Sequence, residues 1–214
     1  MWLWGQRVTS AVQEHEHWTR LTAEGDTERG SDADTLTAAH VGILLDALAP
    51  VLTPGACVLD IGCGIGRLTL ELARRCPDVT VAGVDIAQTA IHAAVEQART
   101  AQLTNTDFYY CDGRTLPHLA PLAAVYSVRC FQHLDARTVR NFLVQSHRML
   151  APGGLVVFQY VPHREGDTDE PFAHTHRLED LLVTVSDLSL VGAVGDEQFP
   201  EWEWVTLRKM EAYA

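Results

Sequence analysis

Lysine is almost missing from this chain of 214 residues: Lys209 is the sole example, and 16 basic residues face 28 acidic ones for a net charge of -12. A nucleic-acid binder needs a basic face to neutralise phosphates, so such a partner is disfavoured. No apolar run approaches the roughly 20 residues that cross a bilayer, and no membrane partner is expected. The start, Met1-Trp2-Leu3-Trp4-Gly5-Gln6-Arg7, lacks the basic stretch and apolar core of a secretory signal, which points to the cytoplasm. CxxC spacing is absent too. The cysteines at 57, 63, 76, 111 and 130 are odd in number and scattered, which disfavours a disulfide framework and a structural zinc. Internal repeats and low-complexity tracts are also lacking.

What remains is the composition of an ordinary globular chain, 47% hydrophobic and 21% charged, with a length that suits one domain. Its charge is unevenly spread. Residues 51–160 are nearly neutral, with eight acids and nine bases, whereas residues 161–205 hold eleven acids and two bases.

From Asp34 onward, strand-like runs alternate with helical patterns, which predicts βαβ units and a parallel sheet. A stripe from Leu36 to Leu48 stops at Pro50. Cys57-Val58-Leu59-Asp60-Ile61 reads as a buried first strand, followed by a helix over about 66–75 that Pro77 closes. Val79 to Val84 reads as the second strand, and Ala87, Ala90, Ile91, Ala94, Val95 and Ala98 as the face of the next helix. Phe108-Tyr109-Tyr110 and Ala123 to Val128 suit strands three and four. Asp135 suits an N-cap for a helix with inner residues Val139, Phe142, Leu143, Ser146, Met149 and Leu150. Pro152-Gly153-Gly154 predicts a turn into a fifth strand over 155–161. A polar loop over 162–175, a helix near 176–185 and strands over 188–194 and 203–209 complete the chain. Before the sheet, Trp4, Val8, Ala11, Val12, His15 and Trp18 fall on one helical face, so an additional N-terminal helix is expected.

The chemistry concentrates in Asp60-Ile61-Gly62-Cys63-Gly64-Ile65-Gly66. Alternate glycines after a buried strand permit a tight turn and let a ligand lie against main chain, because no Cβ intrudes. Asp85 ends the second strand 19 residues after Gly66. A carboxylate there offers two acceptor oxygens to the hydroxyls of a ribose. Together these features point to an adenosine-containing ligand, and the GxGxG register departs from the GxGxxG of dinucleotide sites.

At this point the chain resembles the class I S-adenosylmethionine-dependent methyltransferases over most of residues 35–161. Asp60 to Gly66 is similar to their first motif and Gly83-Val84-Asp85-Ile86 to their ribose motif. Cys111-Asp112-Gly113 looks like the segment that meets adenine, and Leu150-Ala151-Pro152-Gly153-Gly154 like the turn before their fifth strand. The resemblance implies an α/β fold: a Rossmann-like, seven-stranded, mostly parallel sheet with helices on both faces. It divides the single domain into an N-terminal cap (1–33), a cofactor-binding core (34–161) and an acceptor loop with the final strands (162–214).

The resemblance also implies S-adenosyl-L-methionine as cofactor. Asp60 and Gly62 would border the methionine moiety, and Gly64 and Gly66 would belong to the same cofactor site. Asp85 would hold the ribose, Ile86 would pack on adenine, and Asp112, between Cys111 and Gly113, would accept from the adenine amine. Ser127-Val128-Arg129-Cys130-Phe131-Gln132-His133 is similar to the segment that borders methionine and acceptor. His133 then either acts as general base or packs under the next helix. Arg129 either pairs with the cofactor's carboxylate or covers the sheet edge. The family often carries an acid at the start of the fourth strand, where this chain has Ala123-Ala124.

Metal binding by His163, His174 and His176 among Asp167, Asp169 and Glu170 is disfavoured against a solvated loop. Outside the core lie Trp2, Trp4, Trp18, Phe172, Trp202 and Trp204. These aromatics either line a pocket for a small, apolar or cationic acceptor or serve as core or homodimer contacts.

Overall fold

A computed structural model describes residues 2–3, 6–7, 13, 16–20, 31–119, 121–168, 173–197 and 199–210. The main elements are α1 (Ser31–Leu48), β1 (Cys57–Ile61), α2 (Arg67–Arg75), β2 (Thr80–Asp85), α3 (Gln88–Thr100), β3 (Thr106–Tyr110) and β4 (Leu122–Ser127). A 3-10 turn (Phe131–His133), α4 (Ala136–Met149), β5 (Leu150–Tyr160), α5 (Leu178–Leu182), β6 (Leu188–Gly195) and β7 (Glu203–Lys209) follow. The strands form one seven-stranded sheet in the order β3-β2-β1-β4-β5-β7-β6. All pairs from β3 to β5 are parallel, and β7 runs antiparallel to both β5 and β6. The expected α/β sheet is therefore present, and its strand order reverses between β1 and β4.

Strand parity explains both the core and the site. Successive residues of a strand point to opposite faces. Val58 packs with Leu44 and Leu48 of α1 and Leu72 of α2, whereas Leu59 and Ile61 pack on the other face with Val139, Phe142 and Leu143 of α4. Asp60 shares the parity of Val58, and the register sets it opposite Tyr126 of β4. It thus faces α2. Burial on both faces accounts for the apolar character of β1 apart from Asp60.

Local chemistry sets the boundaries. Pro77 follows the end of α2, where the residue before a proline disfavours helix. Asp135 caps α4 by accepting a 2.7 Å hydrogen bond from the Thr138 N–H, as its sequence position predicts.

Three expectations need correction. The turn at 152–154 lies within β5, which already pairs at Leu150 with Leu122, before Ala124 pairs with Leu155. Gly153, at φ 76°, absorbs this bulge. The N-terminal helix is helical over 16–20, but Trp2–Leu3 pairs antiparallel with Gln6–Arg7 at its expected start. Trp4, Val8, Ala11, Val12 and His15 lie outside the described residues. The helix near 176–185 shortens to α5. No described helix is long and apolar enough to cross a membrane.

Candidate active site

The glycine loop leaves β1 at the reversal of strand order, outside the carboxyl ends of the strands, where open α/β sheets bind ligands. Gly62, Gly64 and Gly66 have φ values of 77°, 53° and 85°, a region that residues with a Cβ rarely adopt. Each serves a different contact. A Cβ at Gly62 would overlap Cys130 Sγ and come within 2.7 Å of its Cβ. At Gly66 it would meet Ala94 and the Phe108 ring at 3.0 and 3.2 Å, so helix and strand pack closely. At Gly64 it would meet nothing within 4 Å. That glycine borders open space, as a residue lying against a ligand requires.

Asp85 closes the loop from β2. Its Oδ2 accepts from the Gly64 N–H and its Oδ1 from the Ala87 N–H, both at 2.8 Å. Gly62 and Cys63 donate to the Val84 carbonyl at 2.8 and 3.1 Å. Loss of water raises the Asp85 pKa, and N–H donors from Ala87, Gly64 and Ile86 oppose that rise. Each carboxylate oxygen has a second lone pair, which suits the paired hydroxyls of a ribose. These residues fit an adenosine-containing group.

Asp60 is 2% exposed and accepts a 2.6 Å hydrogen bond from Thr69 Oγ1 of α2. Burial pushes its carboxyl up to about 7, with the Thr69 and Tyr126 hydroxyls pulling it down and Asp85 raising it. Asp112 is exposed, and its Oδ1 accepts from the Arg114 and Thr115 N–H groups at 2.9 and 2.7 Å, which hold its pKa low. Cys111 and Gly113 flank it; the Cys111 N–H donates to the Asp85 carbonyl at 2.9 Å, tying β3 to β2. Burial pushes the Cys111 thiol up to about 11 and Cys63 well above its usual value, so both are poor nucleophiles. Ile86 is half-buried at the end of β2.

The opposite wall follows β4. Ser127 Oγ donates to the Ile61 carbonyl at 2.9 Å, Val128 is buried, and Cys130 sits against Gly62. Arg129 has φ 55°, and its N–H donates to Gln159 Oε1 at 3.2 Å. Its guanidinium lies 5.1 Å from the Trp202 ring centroid and 5.8 Å from that of Phe199. His133 ends the 3-10 turn, half-buried, with its ring edge-on to Trp18 at 4.7 Å. The helical N-terminal residues thus reach the candidate base.

Other expectations change. His174 and His176 are buried rather than solvated: the His174 N–H donates to the Gln132 carbonyl at 2.6 Å, and His176 Nε2 lies 2.9 Å from the Phe131 carbonyl. Both brace the turn that carries His133. His163 Nδ1 bonds Thr175 Oγ1 at 2.9 Å, and among the described residues no His, Cys, Asp and Glu group could hold a metal ion. Asp169, Glu170 and Phe172 lie outside the described residues. Trp204 is 3% exposed and belongs to the core rather than a pocket, its Nε1 donating to Asp196 Oδ2 at 2.8 Å. Asp196, Gln159 and Thr69 were not foreseen. Asp196 is one of eleven acids in an acidic stretch, and no spacing marks it out.

The loop, the acid that ends β2 and the strand order suit a nucleoside at the edge of an α/β sheet. Residues 58–154 match the family model of a methyltransferase domain. A tRNA (guanine-N(7)-)-methyltransferase of Rubrobacter xylanophilus is 34% identical over 105 residues, covering 45% of this chain and 47% of the relative. The chain spans about half the length of the curated relatives it matches. Crystal structures that share the fold include the following two. The [4+2]-cyclase SpnF has a TM-score of 0.73 at 19% identity, covering 97% of this chain and 98% of its own. Magnesium protoporphyrin IX methyltransferase of Synechocystis, with bound S-adenosylhomocysteine, has a TM-score of 0.65 at 16% identity, covering 96% and 90%.

Proposed function

We propose that the chain transfers the methyl group of S-adenosylmethionine to oxygen or nitrogen of a small-molecule acceptor. The observation that carries this reading is the junction of Gly64 and Asp85: open space over the glycine beside a carboxylate with lone pairs left for a ribose. The bound sulfonium supplies an electrophilic methyl with a neutral leaving group. The chain must then hold the two reactants in line and exclude water, and alignment alone lowers such barriers by about 7–11 kcal/mol in favourable cases.

Asp85 holds the ribose, Asp112 the adenine amine and Ile86 the adenine face, while Asp60, the glycine loop, Val128 and Arg129 border the methionine end. His133 faces the acceptor side with Trp18 and takes the proton of a hydroxyl acceptor. An amine acceptor that enters neutral needs no base in the transfer step. Residues 16–20, through Trp18 against His133, and the described residues from 162 onward build the acceptor side. Arg129 already covers the ring faces of Trp202 and Phe199. Trp18, edge-on to His133, offers aromatic surface to an apolar or cationic acceptor.

A net charge of -12 and a single lysine weigh against the tRNA named for several relatives. Five free thiols suit a reducing, cytoplasmic setting. The full-length likeness to a cyclase favours one second reading, a member of the fold that binds the nucleoside without methylating. Calorimetry with S-adenosylhomocysteine tests the pocket. Release of that product from S-adenosylmethionine across phenols, amines and carboxylic acids separates the two readings: methyl transfer requires it, and its absence with every acceptor supports the second.

A further inference from the structure

A buried polar network lies behind the β4 wall, on elements that no cofactor motif includes. Asp196, 4% exposed, begins the connection from β6 to β7. Its Oδ2 accepts from Gln159 Nε2 of β5 and Trp204 Nε1 of β7, both at 2.8 Å, and its Oδ1 accepts from the Phe199 N–H at 3.0 Å. His40 of α1 places Nε2 3.6 Å from Oδ2. Four separate segments converge on one carboxylate. Burying a charge among so many partners is costly and does not in itself stabilise a fold relative to an apolar core.

Two paths run from this carboxylate to Arg129. In the first, Gln159 spends its amide N–H on Asp196 and its amide oxygen on the Arg129 N–H. The carboxylate therefore fixes which way the Gln159 amide points. In the second, Asp196 ties down Phe199, which stacks on Trp202 with ring centroids 4.4 Å apart, and Arg129 lies over both rings. Arg129 needs this support, because a non-glycine residue at φ 55° costs on the order of 1 kcal/mol. Its neighbour Cys130 presses on Gly62, so a shift of Arg129 is felt in the glycine loop.

We propose that Asp196 is a positioning residue which, through Gln159 and the Phe199–Trp202 pair, sets Arg129 and with it the methionine end of the cofactor site. The proposal rests on the cofactor reading above. Asp85 and Asp112, which serve the nucleoside end, lie across the loop on β2 and after β3 and do not share the network. The two ends of the ligand are thereby separable.

The test is calorimetry of S-adenosylhomocysteine and of adenosine with wild-type protein and Asp196→Asn, which sets an amide N–H against at least one donor. S-adenosylhomocysteine should bind the variant roughly tenfold more weakly or worse, with adenosine affinity unchanged. Trp202→Leu removes one ring beneath the guanidinium, leaves the buried carboxylate intact, and should shift the same ligand in the same direction by a smaller factor. Unchanged S-adenosylhomocysteine affinity in both variants overturns the proposal, and so does equal weakening of both ligands in Trp202→Leu. Wild-type protein that binds neither ligand removes the cofactor reading and this inference together. Wild-type binding with unaffected variants removes the inference alone.

Discussion

Replacing Asp60 by Asn should stabilise the ligand-free protein increasingly as pH rises. The carboxyl is 2% exposed and its pKa is pushed up from 3.8 to about 7. The folded state therefore holds this proton more tightly than the unfolded chain. Stability from this group is fully present below about pH 4 and falls as pH rises, until the folded carboxyl has ionised above about pH 7. Roughly three pH units at about 1.36 kcal/mol each give a loss of about 4 kcal/mol at alkaline pH, of which about half is already incurred at pH 5.5.

Asn keeps the shape and an oxygen for the Thr69 hydroxyl but cannot ionise. Its gain over wild type should grow by about 2 kcal/mol between pH 5.5 and 8.5, or about 4–8 °C in Tm for a chain of this size. Any constant cost of burying the amide cancels in that difference. Scanning fluorimetry of both proteins across this range measures it. Parallel curves of Tm against pH would refute the argument, because they would mean that Asp60 titrates alike in the folded and unfolded states.

The remaining predictions concern the loop and the reacting end. Asp85→Ala should weaken S-adenosylhomocysteine by roughly a hundredfold, two hydrogen bonds to a charged acceptor being lost; calorimetry with an unchanged affinity would remove the ribose assignment. Gly64→Ala should cost only about 1 kcal/mol in urea unfolding, from φ 53° alone, yet lower ligand affinity roughly tenfold, since the new methyl enters the open space. Gly62→Ala should instead lose about 2–3 kcal/mol of stability, because its methyl meets Cys130; a cost no greater than at Gly64 would contradict that packing. His133→Ala should lower kcat roughly 10²–10⁴-fold for a hydroxyl acceptor and far less for an amine, and equal effects on both would discard the base.

Motifs local in the chain were legible in advance. Gly62, Gly64, Gly66 and Asp85 were readable because a tight turn and a strand-end carboxylate need those residue types within a short span. The error at 152–154 is instructive: Pro-Gly-Gly signals a turn in isolation, but pairing of Leu150 with Leu122 begins the strand earlier and turns the signal into a bulge. His174 and His176 look solvated in a polar stretch, yet backbone hydrogen bonds to Gln132 and Val161 draw them under the 3-10 turn.

By itself, then, the sequence determined the alternation of strands and helices, the βαβ core and the glycine turn with its strand-end acid. Periodicity, glycine freedom and N-caps act over a few residues, so they can be read along the chain. Only the tertiary structure decided that Asp60 faces Thr69, that Trp204 is core, that Trp18 meets His133, and that Asp196 gathers Gln159, Trp204, Phe199 and His40. Those contacts join residues far apart in sequence, and a buried polar partnership is set by which faces the sheet and its helices bring together, which local pattern does not encode.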